Sequence, residues 1–289
     1  MSILVFIKRH PVWTYFVMVF AISWGYWLVL FAAFGTPLIP PAQLIPFVYG
    51  PTLAAIGLTT IAGGRSALKE LLSKFLVWRV GGSWILAVVF ILPSLQIATL
   101  LVYDSLHPGS AGPFAPNNLY WWFLGPLLAL PFGPLGEELG WRGYLLPRIQ
   151  SRHTALASSL LIGVVWTFWH APLFWATSGS PISGSPVTIA AVASFLALSL
   201  PLSIFFAWIY NNTKGSVLIA MALHCVLNGQ IAYHLFPEVT QAAIKATNQW
   251  LALPMLLLAL VVIRFLGAAR LSRVIFVEGE TMVSAKEVG

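Results

Sequence analysis

From Pro11 to Phe34 the chain carries no charged side chain, and the pattern recurs along its whole length. Similar stretches, almost free of charge, cover about residues 44–62, 83–103, 119–148, 155–177, 187–210, 216–235 and 250–266. Each is close to the roughly 20 apolar residues that cross the hydrocarbon core of a bilayer as a helix. A backbone in lipid must satisfy its own hydrogen bonds, and uninterrupted apolar runs of this length do so as helices. The composition agrees. Hydrophobic residues make up 59% and charged residues 8% of the chain, against about a quarter charged in soluble domains. That leaves too little polar surface to cover a soluble protein of this length. The expected fold is an all-α polytopic membrane protein of about eight transmembrane helices. It forms a single domain over residues 1–289 with no internal repeat.

The segments between the spans have characters of their own. Residues 35–41 are a Pro-rich turn, Gly50-Pro51 predicts a kink inside the second span, and residues 178–186 are Gly, Ser and Pro. The tail, about residues 270–289, is expected to be loosely ordered. Between Gly64 and Gly81, Leu68, Leu71, Leu72, Phe75 and Leu76 repeat at helical spacing while Arg65, Lys69, Lys74 and Arg79 take other positions. That pattern reads as an amphipathic helix lying in the membrane interface.

The net charge of +7 raises the question of nucleic-acid binding, but the cations flank apolar spans and form no basic stripe, so no nucleic-acid partner is expected. Eight spans put both termini on one side. That side would hold Lys8, Arg9, Arg65, Lys69, Lys74, Arg79, Arg142, Arg148, Arg152, Lys214, Arg264, Arg270, Arg273 and Lys286, fourteen of the 15 cations, against Lys245 alone on the other. By the positive-inside rule both termini are expected to be cytoplasmic. The single cysteine, Cys225, excludes an internal disulfide and a cysteine-built metal cage. The first apolar run is long enough to span and has no small-residue cleavage site, so no cleavable signal peptide is expected.

Against this background one stretch stands out: GPLGEELGWRGYLLPR, from Gly133 to Arg148. Charged side chains at membrane depth are costly and mark functional sites. Glu138 and Arg142 are four apart, so they share a helix face and can pair. Glu137 points about 100° away and has no such partner on its own helix. It is the freer carboxylate, able to act as a base toward water. The alternative is that both acids only hold helices together through Arg142.

Two later spans add polar groups, His170 in WTFWHAP and His224 with Asn228 in ALHCVLNG. The four-residue spacing of His224 and Asn228 stacks them on one helix face, as donors suited to a developing oxyanion. Interhelical hydrogen bonding is the competing reading for that pair. His170 alone reads as a packing histidine beside tryptophans. His10, His107, His153 and His234 read as non-catalytic, and Cys225 has no acid to orient a Cys–His pair.

These motifs, in this order, resemble the CAAX-protease and bacteriocin-processing (CPBP) intramembrane proteases, relatives of the CAAX prenyl endopeptidases. The family pattern is two glutamates with an arginine four after the second, then Phe-x-x-x-His, then His-x-x-x-Asn. The first and third motifs match at every defining position, and the second has Trp166 in place of phenylalanine, a change expected to bear on packing behind His170. The resemblance covers about residues 119–230, with the core motifs in 133–230. It implies an intramembrane endopeptidase in which Glu137 and His170 activate a water. His224 and Asn228 would hold the oxyanion, and Glu138 with Arg142 would brace the site. It implies a membrane-associated peptide or lipidated protein as substrate, and the lipid bilayer as partner. The location would be the plasma membrane of a prokaryote or the endoplasmic reticulum membrane of a eukaryote.

Two alternatives stay open at this point. Family members have been labelled metalloproteases, and Glu137, His170 and His224 could form a zinc site with one more oxygen. There is no HExxH, and metal-free, glutamate-based hydrolysis is preferred. The other alternative is a non-catalytic scaffold, or a transporter or immunity protein, that keeps the protease fold. One observation conflicts with a single site. Counting about 1.5 Å per residue from flanking cations puts Glu137 roughly 16 Å and His224 roughly 15 Å deep, but His170 roughly 27 Å deep.

Overall fold

The computed structural model describes residues 3–34, 41–175, 182, 186–275 and 283–284, and these are helical almost throughout. The Pro-rich turn at 35–41, the loop at 178–186 and the tail with Lys286 fall largely outside the described residues. Five helical stretches are long and apolar enough to cross a membrane: Pro11–Phe34, Gly82–Leu106, Ala155–Trp175, Ile189–Asn212 and Gln241–Leu266. The chain is a multi-pass integral membrane protein.

In order, α1 (Ile3–Arg9) leads into α2 (Pro11–Phe34), the first expected span. The second expected span is built from α3 (Pro41–Val48) and α4 (Gly50–Ser73), which meet at Tyr49. Pro51 lacks the N–H that a continuous helix would use there, which is why the kink falls where Gly-Pro predicts it. α4 then breaks its own direction at Gly64, whose φ of 68° is left-handed. The cation-bearing segment begins immediately after that break. Leu71 is buried against the protein while Leu72, Leu76 and Trp78 are exposed. α5 (Gly82–Leu106) is the third span, apolar over most of its length and ending in a turn that carries Asp104.

The fourth expected span departs from expectation. Instead of one helix there are α6 (Trp121–Ala129), a turn, α7 (Pro134–Glu138), a π-helical segment Leu139–Leu145, and α8 (Leu146–Gln150). The cause lies in the string Pro131-Phe132-Gly133-Pro134. Two prolines withhold N–H groups, and Gly133 takes φ 145°, a conformation open only to glycine. Helical segments of i→i+5 pattern are rare and concentrate at functional sites.

α9 (Ala155–Trp169) is capped by Thr154, whose side chain accepts from the Ala157 N–H, and continues as the 3₁₀ turn Ala171–Trp175. α10 (Ile189–Asn212) packs one face closely against the protein along most of its length. The seventh expected span is also interrupted. α11 (Val217–Asn228) stops at Gly229, Gln230 takes a left-handed φ of 50°, and α12 (Ile231–Leu235) leaves in a new direction. The last span starts earlier than the apolar pattern predicts, at α13 (Gln241–Trp250), and runs on as α14 (Ala252–Leu266). Polar residues on one side of α13 hide its continuity from a hydropathy reading. In the tail a two-residue antiparallel pairing joins Val274–Ile275 to Val283–Ser284.

The packing runs inside out relative to a soluble protein. Val17, Val29, Leu86, Phe123, Leu127, Leu253 and Phe265 all face outward. Such a belt of large apolar side chains is what lipid covers. The interior holds Glu137, Glu138, Arg142, His170 and His224, all buried.

Candidate active site

Every residue from Gly136 to Leu146 is buried, so the motif helix is enclosed on all sides. Gly136 and Gly140, four apart, make that possible. A Cβ on Gly136 would stand 2.6 Å from the Val48 carbonyl oxygen, and one on Gly140 2.4 Å from the Tyr15 hydroxyl. Small residues at this spacing let two helix backbones meet closely in a membrane. From the end opposite the Gly133 break, Lys74 Nζ donates to the Gly143 carbonyl at 3.0 Å. Ser216, which caps α11, donates to the Val77 carbonyl at 2.6 Å. The cation-bearing segment thus fastens both helices that carry the site.

The two adjacent carboxylates reach different helices. Glu138 Oε1 accepts from Arg142 Nη1 at 2.9 Å, the pair that the spacing predicts. The same oxygen lies 2.7 Å from Nδ1 of His224 on α11. Since a carboxylate oxygen accepts, Nδ1 of His224 carries a proton and Nε2 is the nitrogen left for a ligand. Arg142 is held further by the face of Phe206, its guanidinium carbon 4.0 Å from the ring centre. Glu137 turns the other way, and its Oε2 accepts from Trp166 Nε1 at 2.8 Å.

Around Gly133 these groups come to one place. At the point a Gly133 Cβ would occupy, Asn228 Nδ2 is 3.1 Å away, Glu137 Oε1 3.2 Å and His224 Nε2 3.6 Å. A side chain there would fill the space between an acceptor and two nitrogen-bearing groups. The missing Cβ keeps open a cradle faced by a carboxylate oxygen, an amide nitrogen and an imidazole nitrogen. An acceptor facing two such groups can take a proton from a water and stabilise negative charge opposite it.

His170 is not among the three groups nearest the Gly133 position. It caps α9 one turn beyond Trp166, and its Nδ1 meets the Trp166 carbonyl at 2.7 Å. A carbonyl only accepts, so Nδ1 is the protonated nitrogen and Nε2 keeps its lone pair. The rings of Trp166, Trp169 and Phe195 surround the imidazole. Trp166, one turn before His170 on α9, is the residue that reaches Glu137, through the hydrogen bond from its indole N–H.

The structure adds to what the sequence says of Trp166. Trp166 is more than packing behind His170, because its N–H is a hydrogen-bond donor to Glu137. The signal was available: an indole N–H buried in a membrane needs a partner, and Trp166 lies on the face of His170, four residues before it. Among the described residues no three His, Cys, Asp or Glu side chains are grouped to hold a metal ion. Gly133 was quoted only as the start of the motif, yet it shapes the cradle. His234 packs flat on Trp121, ring centres 3.7 Å apart, far from these groups in role.

Paired carboxylates and two histidines, all buried, and a partly buried asparagine thus stand among the spans of a helical membrane protein. Comparison with known proteins adds a family. The family model of the type II CAAX prenyl endopeptidase Rce1-like proteins matches residues 117–230, the segment that carries all the site residues. That segment matches the Rce1-like family model, in keeping with the resemblance carried by the three motifs. The chain is also similar to a protein of Methanococcus maripaludis named CAAX prenyl protease 2. The two are 23% identical over 188 residues, which cover 64% of this chain and 69% of the relative.

Proposed function

We propose that this protein is an intramembrane endopeptidase that hydrolyses a peptide bond with a carboxylate-activated water and no metal. The convergence of Glu137 Oε1, His224 Nε2 and Asn228 Nδ2 on the Gly133 cradle carries the reading. Glu137 Oε1 takes a proton from a water whose oxygen bonds to the scissile carbonyl carbon, and Nε2 of His170 is the second acceptor for that water. The carbonyl oxygen becomes an oxyanion. Asn228 Nδ2 donates to it, as does His224 Nε2 when the ring carries protons on both nitrogens. Collapse of the tetrahedral species breaks the C–N bond, and the proton held by Glu137 passes to the leaving nitrogen. The products are a carboxylate and an amine.

Glu138 and Arg142 act through His224, holding its ring with Nε2 toward the cradle. The burial of the site within apolar spans favours a membrane-associated peptide or a lipidated protein as substrate. The name of the archaeal relative points to a prenylated CAAX terminus as the first substrate to try.

The test is cleavage of an internally quenched peptide with a farnesylated CAAX terminus by the full chain in lipid nanodiscs. Products are read by mass spectrometry, beside a proteome-wide search for peptides that accumulate uncleaved in cells carrying Glu137→Gln. That substitution keeps shape and removes the base, so turnover should fall about 10²–10⁴-fold. Activity within tenfold of the unsubstituted protein would sink the proposal.

A further inference from the structure

We propose that Trp166 is the positioning residue of the water-activating carboxylate, a role that rests on the peptidase reading above. Its indole N–H donates to Glu137 Oε2 at 2.8 Å, and both partners are buried. One carboxylate oxygen is therefore already engaged, which leaves Oε1 as the oxygen that faces the Gly133 cradle. Without that bond the carboxylate is free to rotate about its terminal torsion, which is broad and two-fold for glutamate. The base would then face the cradle only part of the time.

The same residue fixes both histidines. Its backbone carbonyl meets His170 Nδ1 at 2.7 Å, which sets the tautomer that leaves Nε2 as an acceptor. Its ring stands perpendicular to His170, centres 4.8 Å apart, and near-perpendicular to His224 at 6.1 Å. The Arg142 guanidinium lies 5.8 Å from the same ring. Trp166 is thus in contact with groups from all three motif helices. Only its contact with Glu137 depends on the indole N–H. The ring contacts need only an aromatic of suitable size, and the backbone carbonyl needs no particular side chain. The N–H can therefore be removed by itself.

Two variants do this in the full chain in nanodiscs. Trp166→Phe keeps an aromatic ring, and replacement of Trp166 by benzothienylalanine keeps the bicyclic shape while sulfur takes the place of N–H. The probe is the farnesylated quenched peptide. Both variants should lower kcat about 10- to 100-fold, the scale of one lost hydrogen bond to a charged group, with KM within about twofold. A merely structural tryptophan would spare the isostere, so unchanged kcat in the benzothienylalanine variant would overturn the proposal. Glu137→Gln run in parallel separates the two claims. Its failure to reduce cleavage sinks the peptidase reading itself, whereas its full effect beside an active isostere sinks only the role of Trp166.

A second readout needs no substrate. In protein labelled with 5-fluorotryptophan, the ¹⁹F resonance absent from Trp166→Phe belongs to Trp166. It should move when Glu137 is replaced by Leu, and a resonance that stays in place in that variant would also overturn the proposal.

Discussion

The long helices and the broken ones divide the labour of this molecule. α2 and α5 are uninterrupted, carry no charged group within the apolar run, and turn much of their surface outward. The motif helix and α11 are short and interrupted by glycine or by left-handed backbone. They are also packed so closely that no residue from Gly136 to Leu146 reaches the surface. Lipid tails are as apolar as leucine, so an outward-facing span gains little from any particular side chain. An inward-facing one gains from every polar group it can pair inside the protein, since lipid offers none. Irregular backbone at membrane depth is tolerated where it is buried in protein or lines a cavity, and here it lines the cradle.

The largest test of that contrast is to break the buried pair. Arg142 and Glu138 are both under 2% exposed, and Arg142→Met leaves the carboxylate with His224 as its remaining partner. Stranding one member of a buried ion pair costs about 3–5 kcal/mol. The variant should unfold at markedly lower temperature in detergent, and cleavage should be lost with it. Adding Glu138→Gln removes the stranded charge and should recover much of the stability. Cleavage should stay lost, because His224 no longer has a carboxylate behind Nδ1. If the double variant is as unstable as the single one, shape rather than charge governs this place.

A smaller effect is expected at the far end of the His224 face. Asn228 is only partly buried and supports no ion pair, so Asn228→Ala should fold normally. Removing one oxyanion donor costs about 10²–10³-fold in kcat, so the expected result is a stable protein that turns over slowly. A loss confined to KM would reassign Asn228 to ground-state binding.

These predictions also show where the sequence was sufficient. The spacing of Glu138 and Arg142, and of His224 and Asn228, fixed which groups share a face, because helical periodicity is local. Pro11–Phe34 matched the expected first span at both ends for the same reason. What spacing cannot give is the angle between helices. Nothing local in the sequence says that Glu138 reaches across to α11 while Glu137 reaches α9. The break at Pro131–Pro134 was legible in principle, since two prolines flank a glycine there. An apolar run reads as continuous when hydropathy alone is counted, and the fourth span was drawn through the break. The depth count set His170 apart from Glu137 and His224, but nothing in it singles out Trp166, one turn earlier on α9, as the residue that contacts Glu137.

The smallest expected effect compares one substitution in two settings. Leu86, on α5, is 59% exposed, whereas Leu145, at the end of the π-helical segment, is 0% exposed. Leu86→Ala exchanges contact with lipid for contact with lipid. Its effect on stability should stay within about 0.5 kcal/mol, and turnover should not change. Leu145→Ala opens a space among packed side chains, where the loss is dispersion and cavity energy of about 2–5 kcal/mol. Thermal unfolding of both variants in nanodiscs gives the comparison directly. Equal and small shifts would mean that the motif helix is no better packed than the outer spans, and that its glycines serve the cradle without serving close packing. A large shift at Leu86 would identify its face of α5 as a contact surface for another protein, since lipid alone does not discriminate leucine from alanine so strongly.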